Sequence, residues 1–139
     1  MALNLIKMAV GVGDFEELGR LQKERRKERG RYCFFTRNTP RRAEELLDGG
    51  SIYWVIKGQV QARQLLRRFK SVDDEEGDRY CIVEYDRRLM PTLWQPRRAF
   101  QGWRYLEAKD APGDRPAHAA LDDNLPPAMA RELRALGLL

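Results

Sequence analysis

The sequence predicts an α+β fold, a curved and mixed or mostly antiparallel sheet of about five to seven strands with two to three flanking helices. Three observations carry this. Ser51–Ile56 reads SIYWVI, with no strongly polar residue between Ile52 and Ile56, the composition of a strand buried on both faces. Arg79–Tyr85 reads RYCIVEY with period two and returns from an acidic turn, which marks an antiparallel hairpin. Residues 15–28 place Phe15, Leu18 and Leu21 at spacings of three behind Asp14, a helix N-cap.

In chain order, residues 3–12 alternate loosely and are rich in aliphatic residues, so a strand leads through Gly11 and Gly13 into the first helix. That helix turns wholly charged at KERRKER and ends in solvent near Gly30. Residues 31–37 hold YCFFT, a second strand. Thr39 is expected to cap a short helix with Pro40 at its first position, Glu44 and Glu45 near the positive end of its dipole, and Asp48, Gly49 and Gly50 as its stop. The central strand Ser51–Ile56 follows, broken by Lys57 and Gly58. A helix and a bent strand both fit residues 59–72, and a strand beginning near Gly58 is the reading taken. Asp73 to Asp78, DDEEGD, turns the chain into Arg79–Tyr85. After Asp86, Trp94, Phe100, Trp103 and Tyr105 are interleaved with Arg87, Arg88, Arg97, Arg98 and Arg104. Residues 110–127 hold four of the seven prolines and read as an extended arm, followed by a short helix carrying Met129, Leu133 and Leu136. The expected organisation is one domain over residues 1–109, with the arm and terminal helix over 110–139 packing on it or extending from it.

A chain of 139 residues is long enough to close one hydrophobic core without staples. The apolar stretches are far shorter than a membrane span, and Lys7 inside the first run, with no small-residue cleavage site after it, does not read as a secretory signal. A cytoplasmic location is expected. Cys33 and Cys81 sit mid-strand without a CxxC spacing and read as buried thiols; the single histidine, His118, lies in the arm, so no metal site and no cofactor is expected. The catalytic inventory is thin, with Ser51 and Ser71 the only serines, and carboxylates whose positions also suit capping and hairpin edges. Gly49 and Gly50 lie between a helix and a strand, the reverse of a phosphate loop, and GVGD at 11–14 is too short for a dinucleotide fingerprint. A reaction is therefore disfavoured, and no catalytic residue is named.

The net charge of +5 makes an anionic partner plausible. Basic residues cluster at 20–42, where ten face two acidic ones, then at 63–70 and at 87–104. The first cluster also fits an ordinary solvated helix face. Aromatics interleaved with arginine at 94–106 supply stacking faces and phosphate donors together, as grooves for single-stranded nucleic acid require. The residues expected to bind nucleic acid are Arg63, Arg67, Arg68, Arg97, Arg98, Arg104, Lys57 and Gln61, with Tyr53, Trp94 and Trp103 as candidate stacking faces. Core packing is the competing account of the aromatics.

The blocks LNLIKMAVGV, TRNTPRRAEELLDGGSIYWVIKGQVQARQ and PRRAFQGWRYLEAKDAP resemble the alphaproteobacterial family labelled domain of unknown function 1489, over residues 2–112. The resemblance implies no activity, substrate or catalytic residue. Over residues 41–50 and Ser51–Ile56 the architecture is also similar to PUA-like domains and their ASCH and EVE relatives. That likeness implies a small β-barrel with flanking helices that binds RNA or modified bases.

The reading that results is a small basic domain that binds RNA or another nucleic acid without chemistry. Two alternatives remain beside it. One is a protein interaction module docking an acidic partner. The other is a protein or enzyme for a nucleotide or modified base, marked by a closed pocket of Trp54, Gln61 and Glu84.

Overall fold

The computed structural model describes residues 2–115. The chain runs β1 (Asn4–Met8), α1 (Phe15–Arg29), β2 (Cys33–Thr36), α2 (Ala43–Leu47), β3 (Ser51–Ile56), β4 (Gln59–Asp73), β5 (Arg79–Tyr85), β6 (Met90–Pro96), β7 (Trp103–Leu106) and a 3-10 turn at Ala108–Asp110. The fold is mixed α+β, as the sequence predicts.

Seven strands form one sheet in the order β2-β5-β4-β3-β1-β7, with β6 added against β4. β1 and β3 are parallel and the other pairs antiparallel. β3 is buried along its whole length, as its unbroken apolar run requires. Residues 59–73 resolve as a strand, and its 15 residues organise the sheet. Its first half lies between β3 and β6, its second half pairs with β5, and register shifts near Trp54, Val60 and Leu66 bend it between the two settings. The acidic turn folds on Asp74, whose Oδ1 accepts from the N–H groups of Glu76 and Asp78.

The expected barrel is corrected: the sheet is open, ending at β2 and β7. β2 pairs only with β5 and β7 only with β1, so no ladder runs between the two ends of the path. A side-chain hydrogen bond joins them instead, from Trp103 Nε1 to Thr36 Oγ1 at 3.2 Å.

α1 starts and stops where the sequence places its caps. Asp14 Oδ1 accepts from the Glu17 N–H at 2.8 Å, and the Gly30 N–H closes on Arg26 O. α2 starts later than expected, with Arg42 rather than Thr39 at the N-cap and no side-chain cap. The reason is tertiary. The Tyr105 hydroxyl on β7 accepts from the Arg42 N–H, a group that a Thr39 cap would have used, and the turn at residues 41–42 lies ahead of the helix. After α2, the Gly50 N–H returns to Leu46 O, and a Cβ on Gly50 would overlap the carbonyl oxygens of Leu3 and Leu46. Only glycine fits that corner.

Apolar side chains fill both faces of the sheet. The larger core, under α1, includes Leu5, Leu18, Leu46, Ile52, Trp54 and Tyr85; the smaller one, opposite, gathers Ile6, Tyr53, Val55, Val60 and Leu106. In the larger core Gln64 is fully buried and satisfied at both ends. Its Oε1 accepts from Trp54 Nε1 and Gln22 Nε2, and its Nε2 donates to Gln22 Oε1 and Asp86 O.

β6 and β7 come from the aromatic and arginine-rich stretch, where the sequence shows no clean period. The first residues of the expected arm pack on β6, with the Leu93 N–H on Gly113 O and the Arg115 N–H on Pro91 O. The rest of the expected arm, the expected C-terminal helix and His118 lie outside the described residues.

Candidate nucleic-acid interface

The chain leaves β6 after Pro96 and crosses to β7 through residues 97–102. The Arg97 N–H donates to Gly58 O at 2.9 Å, tying this crossing to the β3–β4 hairpin. That hairpin turns on Lys57 and Gly58, both with positive φ, as a tight two-residue turn needs. Lys57 is the one non-glycine residue among those described that adopts such a conformation, and its side chain is exposed.

Three of the arginines named from the sequence meet here. Arg97, Arg98 and Arg104 line one open groove of about 630 Å³ with Gln95, Phe100 and Lys109. Arg104 is held from behind: its Nη1 donates to Gln101 O and Trp103 O, and its guanidinium lies 5.4 Å from the Phe100 ring centroid. Asp110 also lines the groove, but among the described residues no carboxylate forms an ion pair with Arg97, Arg98, Arg104 or Lys109. Gln95 Nε2 donates to Asp110 O, while Gln95 Oε1 is shielded from solvent without a partner among the described residues.

On the other face of β7 a second groove, of about 670 Å³, holds Arg37, Arg41, Arg79, Trp103 and Tyr105. Trp103 and Tyr105 pack edge to face with centroids 5.0 Å apart, and Tyr105 also forms part of the first groove. The free edge of β7 therefore has a cationic groove on each side.

The other candidates are placed differently. Arg63 forms a paired-fork ion pair with Asp114, at 2.7 and 2.8 Å, and a bond to Ser51 Oγ; the carboxylate raises its pKa. Arg67 faces Asp86 at 3.5 Å, and Arg68 faces Glu84 at 3.7 Å, which also takes Arg31 at 2.9 Å. Gln61, expected on a rim, is buried with its Nε2 on Ile56 O; it is the residue skipped at the register shift between Val60 and Ala62, and that bulge breaks the alternation that would have placed it on a rim. Tyr53, a candidate stacking face, is buried in the smaller core, and burial pushes its hydroxyl pKa up. Trp94 is half-buried on β6. Trp54, Gln61 and Glu84 do not share a pocket: Trp54 lies in the larger core and Glu84 is bound by Arg31 and Arg68.

The sequence reading missed Lys109 and Arg79, and it counted Arg37 and Arg41 in the 20–42 cluster without naming them as binding residues. Only the placement of β7 between the two grooves brings these residues together. Among the described residues no group of three or more His, Cys, Asp or Glu side chains could hold a metal ion, and no helix is long and apolar enough to cross a membrane.

Over residues 5–139 the chain matches the family described as protein of unknown function DUF1489, and it belongs to that family. No curated protein and no solved structure matches it.

Proposed function

We propose that this member of a family of unknown function binds RNA, without chemistry, along the free edge of β7. The observation that supports the reading is the convergence of Arg97, Arg98, Arg104 and Lys109 around Phe100, with no carboxylate paired to any of them among the described residues. Unpaired guanidinium forks and an ammonium along a groove neutralise successive phosphates, and a ring in the same groove offers a stacking face. Arg63, Arg67 and Arg68 drop out of the reading because each already faces an acidic side chain. Trp103 and Tyr105 extend the surface to the second groove, where Arg37 and Arg41 continue the cationic track; Arg79 lines the same groove but faces Asp73 at 3.1 Å and drops out on the same ground.

The test is a fluorescence-anisotropy titration against single-stranded RNA, a stem-loop RNA and duplex DNA, each at several salt concentrations. The reading expects preference for RNA. For Arg97→Ala with Arg98→Ala it expects weaker binding and a salt slope smaller by about one for each phosphate that is no longer neutralised. Arg67→Ala should change the slope far less. Equal weak binding to all three nucleic acids that vanishes near physiological salt would overturn the RNA reading and turn the search to an acidic protein partner.

A further inference from the structure

A cleft of about 290 Å³ opens between α1 and the sheet, far from the β7 edge in sequence and lined by different residues. Trp54, Phe34 and Tyr85 form its inner wall, each packed edge-on or tilted against the others at centroid distances of 5.9 to 6.4 Å. Lys7, Arg25 and Arg29 line it with them, and among the described residues no acidic one does.

Lys7 occupies a position where the fold calls for an apolar residue, and two arginines of α1 stand over the same cleft. Along β1, Leu5 and Ala9 belong to the core under α1, and the two-residue period puts Lys7 on that same face. Along α1, Leu18 and Gln22 are buried, and Arg25 and Arg29 follow them at helical spacing and line the cleft, Arg25 exposed and Arg29 half-buried. A half-buried lysine facing Arg25, with no carboxylate paired to it among the described residues, costs stability, and desolvation with that repulsion lowers its pKa. Its ammonium has the Phe34 ring at 5.6 Å. Arg29 is fixed by donation to Cys33 O at 2.8 Å and by stacking 4.8 Å from the Phe35 centroid. Three large apolar side chains are strongly exposed among the described residues, and two of them, Val10 and Phe35, also line the cleft.

Uncompensated positive charge over an aromatic wall with an apolar mouth is complementary to one kind of guest. We propose that this cleft binds a small organic anion with a flat apolar body, its carboxylate, sulfonate or phosphate held by Lys7, Arg25 and Arg29 and its body against Phe34, Trp54 and Tyr85. The charged trio sets the requirement for an anion, and the modest volume confines the guest to a body of a few fused or linked rings.

The probe is anilinonaphthalene sulfonate, whose emission reports binding, compared with phenylnaphthylamine, which has the same rings and no sulfonate. The folded protein should bind one equivalent of the sulfonate saturably and raise its melting temperature as it does so. The neutral analogue should bind at least about tenfold more weakly, as should the sulfonate to Arg25→Gln or Lys7→Met, the effect expected for a charge-assisted interaction. Arg25 is exposed, so its variant leaves the fold intact. Arg97→Ala with Arg98→Ala should leave probe affinity unchanged, which separates this site from the RNA-binding groove. Equal affinity for the two probes, unsaturable binding, or full affinity in both cleft variants would each overturn the proposal.

Discussion

Trp103 Nε1 donates to Thr36 Oγ1 at 3.2 Å and so joins β7 to β2, the two strands at opposite ends of the sheet path. The bond links the two ends of the path through side chains, while their registers are set by the ladders to β1 and β5. Trp103→Phe keeps most of the packing against Tyr105 and removes the donor, and Thr36→Val removes the acceptor. Each change should cost about 1 kcal/mol in urea denaturation. The two should couple, so that the double variant costs about as much as either alone. Strict additivity would mean that the hydrogen bond does not tie the edges.

Gly50 is the most tightly enclosed of the described glycines. A Cβ there would overlap the carbonyl oxygens of Leu3 and Leu46, and backbone on both sides cannot move without disturbing β1 and α2. Gly50→Ala should cost more than about 3 kcal/mol. Gly49 provides the control, because it has φ of 85° and open space around it apart from Ala2. Gly49→Ala should cost about 1 to 2 kcal/mol, the strain of a left-handed alanine. Melting curves of the two variants give the comparison, and equal losses would refute the steric account of Gly50.

How far these features are legible in the sequence depends on the distance over which their causes act. Asp14 and Gly30 are found because a cap is decided within four residues, and the hairpin after Asp73 because its turn is. β3 is found because burial on both faces leaves no polar residue to alternate. The start of α2 is misplaced because Tyr105, more than sixty residues away, takes the Arg42 N–H. Arg63 looks as free as Arg97 in sequence, yet Asp114 lies 51 positions away and claims it. The arginines of α1 were the one available signal for the cleft: Arg25 and Arg29 follow the buried Leu18 and Gln22 at helical spacing.

Gln64 holds a buried polar network that no single partner can replace. Gln64→Leu removes the acceptor for Trp54 Nε1, both partners of the Gln22 amide and the donor to Asp86 O. Because the stranded groups are buried, the loss should be about 3 kcal/mol rather than the roughly 1 kcal/mol of an ordinary hydrogen bond. Adding Gln22→Leu removes two of the stranded groups and should restore part of the stability, on the order of 1 kcal/mol. Denaturation of the four proteins of the cycle checks this, and a double variant less stable than Gln64→Leu alone would argue against the network.

Lys7 gives stability a pH dependence of definite sign. Its folded pKa lies below the ordinary 10.5 through desolvation first and Arg25 second. Between that lowered value and 10.5 the unfolded chain holds a proton that the folded chain has released, so the lysine's contribution to stability rises with pH across that window. Below it, both states are protonated and the full penalty of a half-buried ammonium remains. The cleft also holds Cys33, whose thiol is pushed up by burial and which acts in the opposite direction, and Tyr85, pushed up to about 12. Neither owes its shift to Lys7, so the difference between the protein and its Lys7→Met variant isolates the lysine. The variant should be the more stable near neutral pH, and its advantage should shrink as pH climbs toward 10.5. Urea denaturation of both proteins at a series of pH values measures that gap. A variant that is less stable throughout would show that the ammonium finds compensation within the fold, which would remove the energetic argument for an anionic guest.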